Sequence, residues 1–342
     1  MRILHYIGDR TGIFMYRAYF PSVAMMDFTK HNVLFSKNCN ITNTHCLLEM
    51  NWCDIAVFHR QYEETHTEAI KYMKKLGKKC VFEIDDNWWE LNEDNPQYKN
   101  INNNRTILGA LEEALRAVDV VTTTNQRLAS VLKQFNPNVV VIPNYISKRF
   151  FERRVEQQEK YNPENITLMW SGAQNHLDDL KSLIDPLKIL FDKYNNIQLF
   201  IVGANYSELF PFIDKKKLMH VQWMGLDDYP STFTWADIGL APMTDNPYNA
   251  SKSNIRVLEL GWFGLPIVAS NRYAYKETLE HGKNAYLANN TDDWVKYLSL
   301  LIEDESERKR IGSAAIKMAD GNSIEENYDK YVELYEGLLN GK

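Results

Sequence analysis

Short apolar runs alternate with stretches of helical spacing along this chain, and that alternation limits the folds open to it. The first runs are 2–8, 54–60, 79–85, 119–124 and 138–144. A second series follows at 166–172, 197–203, 220–225, 237–242 and 265–270. Between them, residues 106–118, 126–135, 177–194, 254–263 and 292–302 repeat apolar side chains at the period of one helix face. Buried strands separated by helices form parallel sheets with helices on both faces. The two series also resemble each other: "RILHYIG" and "ITLMWSG" each end a strand at glycine just ahead of a helix. We therefore expect an α/β protein of two doubly wound parallel-sheet domains, 1–150 and 151–342, side by side across a cleft. The boundary is expected in 145–164, which is charged and lacks an apolar stripe. The last helical stretch, 325–339, has no strand after it and either caps one domain or crosses back to the first.

A chain of 342 residues can bury two cores without disulfides. Cys39, Cys46, Cys53 and Cys80 contain no C-x-x-C pair, so they read as reduced, packed thiols rather than a zinc or redox site. The net charge of −6 gives no bulk electrostatic case for nucleic acid. The opening residues turn polar too soon for a leader, and no run reaches the length of a membrane span. A cytoplasmic protein is expected.

In open parallel sheets, ligands bind beyond the carboxyl ends of the strands. In the first half these positions carry Gly8 and Gly12 within "GDRTG", then His59-Arg60, then Asp85-Asp86. Gly12 fits a close backbone approach to a ligand or a plain tight turn. Arg17 fits either an anion contact in the cleft or a surface arginine. Asp85 and Asp86 point to opposite sides if extended, so at most one is expected to face the cleft. Asp86 is the better contact for acceptor hydroxyls, and a cap is the alternative reading. His59 and Asp86 are candidates for the chemistry. Residues 87–105 form a long asparagine-rich loop whose Trp88 and Trp89 either stack on an acceptor group or pin the loop. In the second half, Gly172 and His176 precede a helix whose N-terminus suits an anion. Gly225 ends a run where backbone groups could read a nucleobase edge. Lys252, Ser253 and Asn254 sit ahead of the helical stretch 255–263, where N–H groups and a point charge favour a diphosphate. Glu259 lies two turns into that helix among apolar neighbours. A ribose diol would satisfy it, and so would an i, i+3 ion pair with Arg256.

These motifs, taken in order, resemble the GT-B glycosyltransferases, nearest to the retaining family-4-like group. The strongest likeness is "APMTDNPYNASKSNIRVLELGWFGLPIVAS", 241–270, which resembles that group's donor segment. "WSGAQNHLDDL", "VDVVTTTNQRLASVLK", "YRAYFP" and "VFEIDD" resemble other parts of the same pattern. The resemblance implies two Rossmann-like domains, with acceptor on the first and donor nucleotide on the second. It implies retaining transfer of a hexosyl or pentosyl group from a nucleoside diphosphate sugar to an acceptor hydroxyl. Glu259 becomes the ribose ligand, and Lys252 a contact for the leaving phosphate. No D-x-D occurs, so no metal is expected, and the nucleotide sugar is a co-substrate rather than a cofactor. Many relatives carry a second glutamate eight positions before the first; Ser251 stands there here. The acceptor is left open among glycan, lipid, protein and modified nucleic acid, as is the oligomeric state. Three alternatives share the architecture: a nucleotide-sugar epimerase, a transferase acting on hydroxymethylated DNA bases, and a non-catalytic scaffold.

Overall fold

The computed structural model describes residues 1–8, 12–93, 95–102, 105–152, 163–225 and 227–341. Residues 9–11 of the "GDRTG" turn and 153–162 of the expected linker lie outside them. Two six-stranded sheets result, and every strand pair in them is parallel. The first contains β1 (Arg2–Ile7), β2 (Asn32–Ser36), β3 (Ile55–His59), β4 (Lys79–Glu83), β5 (Val120–Thr123) and β6 (Val139–Val141), in the order β2-β1-β3-β4-β5-β6. The second contains β7 (Ile166–Gly172), β8 (Ile197–Gly203), β9 (Leu218–Gln222), β10 (Ile238–Ala241), β11 (Ile267–Ser270) and β12 (Tyr286–Ala288), in the order β12-β11-β10-β7-β8-β9. Strand order reverses between β1 and β3 in one sheet and between β7 and β10 in the other. Crevices open at such reversals because successive connections leave in opposite directions.

The central strands are buried throughout and nearly all apolar, as β3 and β8 show, because helices cover both faces. The edge strand β2 is half-exposed and β12 has three residues, so neither carries the continuous apolar run that marks the others. The expected helix 177–194 is two helices, Leu177–Lys181 and Ile184–Lys193. Pro186 explains the break: it lacks an N–H and its ring clashes with the preceding turn, so it fits only the first turn of a new helix. Near the N-terminus, Met15–Tyr19 form a turn of wider π-helix, a form frequent at functional sites.

Helix Ile255–Trp262 packs against helix Glu305–Gly321 at close range. A Cβ on Gly312 would stand 2.1 Å from the carbonyl oxygen of Gly264, so glycine is required there. Asp329–Leu339 lies on the first sheet's helices, with Tyr331 and Tyr335 in one apolar cluster with Ile3, Phe20 and Phe151. The chain crosses beside Ile146, whose carbonyl accepts from Ile324 N–H at 2.7 Å. No described helix is long and apolar enough to cross a membrane.

Candidate active site

A cavity of about 450 Å³ lies between the two sets of strand ends. Its second-domain wall is built by helix Ile255–Trp262 and the segment leading into it. Glu259, Lys252 and Arg256 line it and are only 7%, 8% and 9% exposed. Three ionisable groups at such depth need partners, and those partners define the site.

Glu259 has two. Its Oε2 accepts from the Tyr229 hydroxyl at 3.0 Å, and its Oε1 accepts from Tyr16, which belongs to the first domain. Burial pushes its carboxyl up to about 7, against the two tyrosine donors and Arg256. The expected alternative, an ion pair with Arg256, does not form. Arg256 instead lies with its guanidinium 5.5 Å from the Trp170 ring centre, and its Nη1 is 3.5 Å from the Tyr275 hydroxyl. Gly172 makes room for it: a Cβ there would stand 3.1 Å from Arg256 Nη2 and closer still to Trp170.

Lys252 Nζ lies 3.2 and 3.3 Å from the two ring nitrogens of His176 and 4.7 Å from the centre of the Tyr248 ring. Burial lowers its ammonium to about 8, although Asp179 and Asp86 oppose the shift. Burial, then Lys252 and Arg256, push His176 down to about 3, so its ring is neutral. Asp179 orients that ring from 2.8 Å and is itself held by Thr244 and Asn249. Neither Lys252 nor Arg256 makes an ion pair with any carboxylate among the described residues. Two buried cations therefore face the cavity without a carboxylate in ion-pair contact, although Asp85, Asp86 and Glu259 stand on its walls.

The first-domain wall holds Gly12, Asp85, Asp86 and Arg60. Both aspartates reach the cavity, not at most one as the alternation of an extended strand predicts, because β4 ends at Glu83 and the chain bends at Asp86. Arg60 ties them together, at 3.5 Å from Asp85 and 3.0 Å from Asp86. Burial lifts Asp85 to about 7. Arg60 adopts φ +52°, which is uncommon for a residue with a side chain.

Of the residues singled out in the sequence, Gly12, Asp85, Asp86, Gly172, His176, Lys252, Ser253 and Glu259 line this cavity. Arg17 does not. It is buried, paired with both oxygens of Glu83 at 2.8 and 2.9 Å, and bonded to the Ile142 carbonyl at 2.6 Å. It is neither a surface residue nor a cleft contact but a tie across the first sheet. His59 and Trp88 line a separate cavity of about 300 Å³ beside the first. Asn254 turns its side chain away to Thr278 Oγ1, at 3.0 Å. Gly225 is exposed and outside the lining; its loop contributes Trp223 instead, 57% exposed and stacked on Tyr229. The helix after Gly172 has five residues, so it offers a weaker dipole than the long helix the spacing predicts. Trp89 pins its loop by stacking on Phe135, with ring centres 4.8 Å apart.

Ser251 is buried outside the cavity. Its Oγ accepts from Asn87 at 3.1 Å, and its carbonyl accepts from Asn125 at 2.6 Å, both from the first domain. Where the family resemblance breaks, the chain has a tie between domains. Sequence reasoning missed Tyr16, Tyr229 and Trp223 and misread Arg256. "YRAYFP" pointed to the first of these, but nothing local showed that its hydroxyl reaches the second domain.

Residues 150–318 match the family model described as Glycosyl transferases group 1. Spore coat protein SA of Bacillus subtilis (strain 168) is 21% identical over 161 residues, which are 41% of this chain and 40% of that protein. A glycosyltransferase from Rickettsia africae ESF-5 has a similar fold, with a TM-score of 0.67, 14% identity and coverage of 100% of this chain and 99% of that one. So does HepE from Anabaena, solved in complex with UDP and glucose, with a TM-score of 0.64, 14% identity and coverage of 97% and 98%. The second half of this chain thus matches the group 1 glycosyl transferase model, and the two domains together have the GT-B fold of these similar structures.

Proposed function

We propose that this protein is a glycosyltransferase that moves a sugar from a nucleoside diphosphate sugar to an acceptor hydroxyl, with retention and without a metal. The observation that carries this reading is the pair of buried cations, Lys252 and Arg256, facing the cavity without carboxylate partners beside Glu259. A diphosphate supplies the direct ion-pair partner that the two cations lack. The N-terminus of helix Ile255–Trp262 adds its N–H groups to the same point. HepE, similar in fold, holds UDP.

In this reading the ribose diol donates to Glu259, displacing tyrosine hydroxyls. Lys252 and Arg256 stabilise the charge that grows on the leaving diphosphate, and the neutral His176, its Nδ1–H held by Asp179, positions the Lys252 ammonium through its other ring nitrogen. Positive charge thus comes from side chains where other transferases use a divalent ion. Asp86 orients the acceptor hydroxyl from the opposite wall, and the leaving phosphate itself takes the hydroxyl proton. Closure around the donor excludes water and limits hydrolysis.

The test is a donor panel. Purified protein is mixed with UDP-, GDP- and ADP-sugars and a set of acceptors, and release of each nucleoside diphosphate is read. One donor is expected to turn over in the presence of chelator, with the anomeric configuration preserved in the NMR spectrum of the product. An inverted product refutes retention, and failure of every nucleoside diphosphate to bind refutes the whole reading.

A further inference from the structure

The second cavity lies where strand order reverses in the first sheet, beyond the ends of β1 and β3. Its walls include Gly8, His59, Arg60, Tyr62 and Trp88. Arg60 also lines the larger cleft, so its side chain is the partition between the two. The partition is fixed: the guanidinium is paired with Asp85 and Asp86 and lies 5.7 Å from the centre of the Trp88 ring.

We propose that this cavity is an acceptor subsite for an uncharged, hydroxylated ring, a saccharide unit whose reacting hydroxyl passes Arg60 to meet the donor. The proposal rests on the transfer reading above. It stands on three features of the walls.

The first is unmet hydrogen bonding. His59 Nε2 and Trp88 Nε1 are both buried and have no partner. Buried polar groups are nearly always satisfied, yet two residues of this one wall each keep an orphan atom just beneath its surface. Hydroxyl groups both donate and accept, so they suit an indole N–H and an imidazole nitrogen alike.

The second is charge. Arg60 is compensated by two aspartates, and burial pushes His59 and His66 down, so both rings are neutral. The remaining charged wall residue, Glu63, is an exposed carboxylate at the rim. A phosphate or carboxylate would meet no free cation and one repelling charge. The donor cleft next door adds Lys252 and Arg256, which have no carboxylate in ion-pair contact although Asp85, Asp86 and Glu259 share its walls. In this reading the diphosphate goes to those two cations, and the neutral ring to the cavity whose guanidinium is already paired.

The third is the aromatic corner. Tyr62 is 40% exposed and meets the edge of Trp88, with ring centres 5.3 Å apart and planes at 61°. An aromatic face beside polar atoms matches a sugar ring, which is apolar on its C–H face and polar at its rim.

The test uses the full chain, with UDP, GDP and ADP together filling the donor cleft. Saturation-transfer NMR then follows methyl α-glucoside and maltose as neutral probes and glucose 1-phosphate as the same ring with a charge. The neutral probes should bind. Tyr62→Ala, at an exposed position, should weaken them about tenfold, as should Trp88→Phe, which deletes the indole donor together with part of its ring. Nucleoside diphosphate affinity, read by calorimetry, should be unchanged in both variants. Tighter binding of glucose 1-phosphate, no binding of either neutral probe, or undiminished binding in both variants would overturn the subsite. Saccharide binding that persists while no nucleoside diphosphate binds would instead sink the transfer reading and leave the saccharide cavity standing.

Discussion

At the residue scale, the site depends on how burial sets two ionisable groups. Lys252 has an ordinary value of 10.5 and falls to about 8, while Glu259 rises from 4.5 to about 7. A diphosphate needs the ammonium charged, so affinity should fall as pH rises through about 8. A ribose diol donates best to an ionised carboxylate, so affinity should also fall as pH drops through about 7. Calorimetry with the preferred nucleoside diphosphate should therefore give a bell-shaped pH profile. Lys252→Arg should abolish the basic limb, because a guanidinium does not titrate in that range. A flat profile would remove both groups from the nucleotide site. Lys252→Ala and Arg256→Ala should each weaken the nucleoside diphosphate about ten- to a hundredfold, the worth of a charge-assisted hydrogen bond. Wild-type affinity in Arg256→Ala would confine that residue to packing on Trp170.

At the element scale, helix Ile255–Trp262 carries all of this and is held by its neighbours rather than by propensity. Its eight residues are too few to be stable alone. The close approach of helix Glu305–Gly321 fixes its position, and glycines at 261, 264 and 312 permit that approach. Gly312→Ala would press a methyl group against the Gly264 carbonyl. We expect it to lower stability by about 1–3 kcal/mol, read by denaturant unfolding, and to weaken nucleotide binding by shifting Glu259 and Arg256. Unchanged stability would show that the two helices are free to separate. The turns at the strand ends matter in the same way. β4 stops at Glu83, which brings both Asp85 and Asp86 to one cavity wall.

At the scale of the whole molecule, the donor helix is tied to the acceptor domain before any ligand arrives. Tyr16 holds Glu259, Asn87 and Asn125 hold Ser251, and the Tyr248 hydroxyl donates to Asp86 at 3.3 Å. If Glu259 receives the ribose, the Tyr16 hydroxyl competes with it. Tyr16→Phe should therefore tighten nucleoside diphosphate binding about tenfold, the worth of one hydrogen bond no longer displaced. Weaker binding would mean that Tyr16 stays in place and helps hold the nucleotide.

Much was legible in the sequence because it is local. Strand–helix alternation gave the parallel sheets, since a strand buried on both faces must be apolar at nearly every position. The half-exposed β2 and the three-residue β12 escaped for the same reason. The positions of Gly172, His176, Lys252 and Glu259 at strand ends and a helix start could be read, because ligands gather where strands stop. Partners could not. Arg256 and Glu259 have the spacing of an ion pair, yet the room left by Gly172 draws the guanidinium onto Trp170. Arg17 looks like a surface residue until Glu83, 66 positions away, closes on it. Tyr16 and Glu259 are 243 positions apart and meet only because the two sheets face each other. Spacing along the chain decides which face a side chain occupies; only the packed tertiary structure decides what stands opposite it.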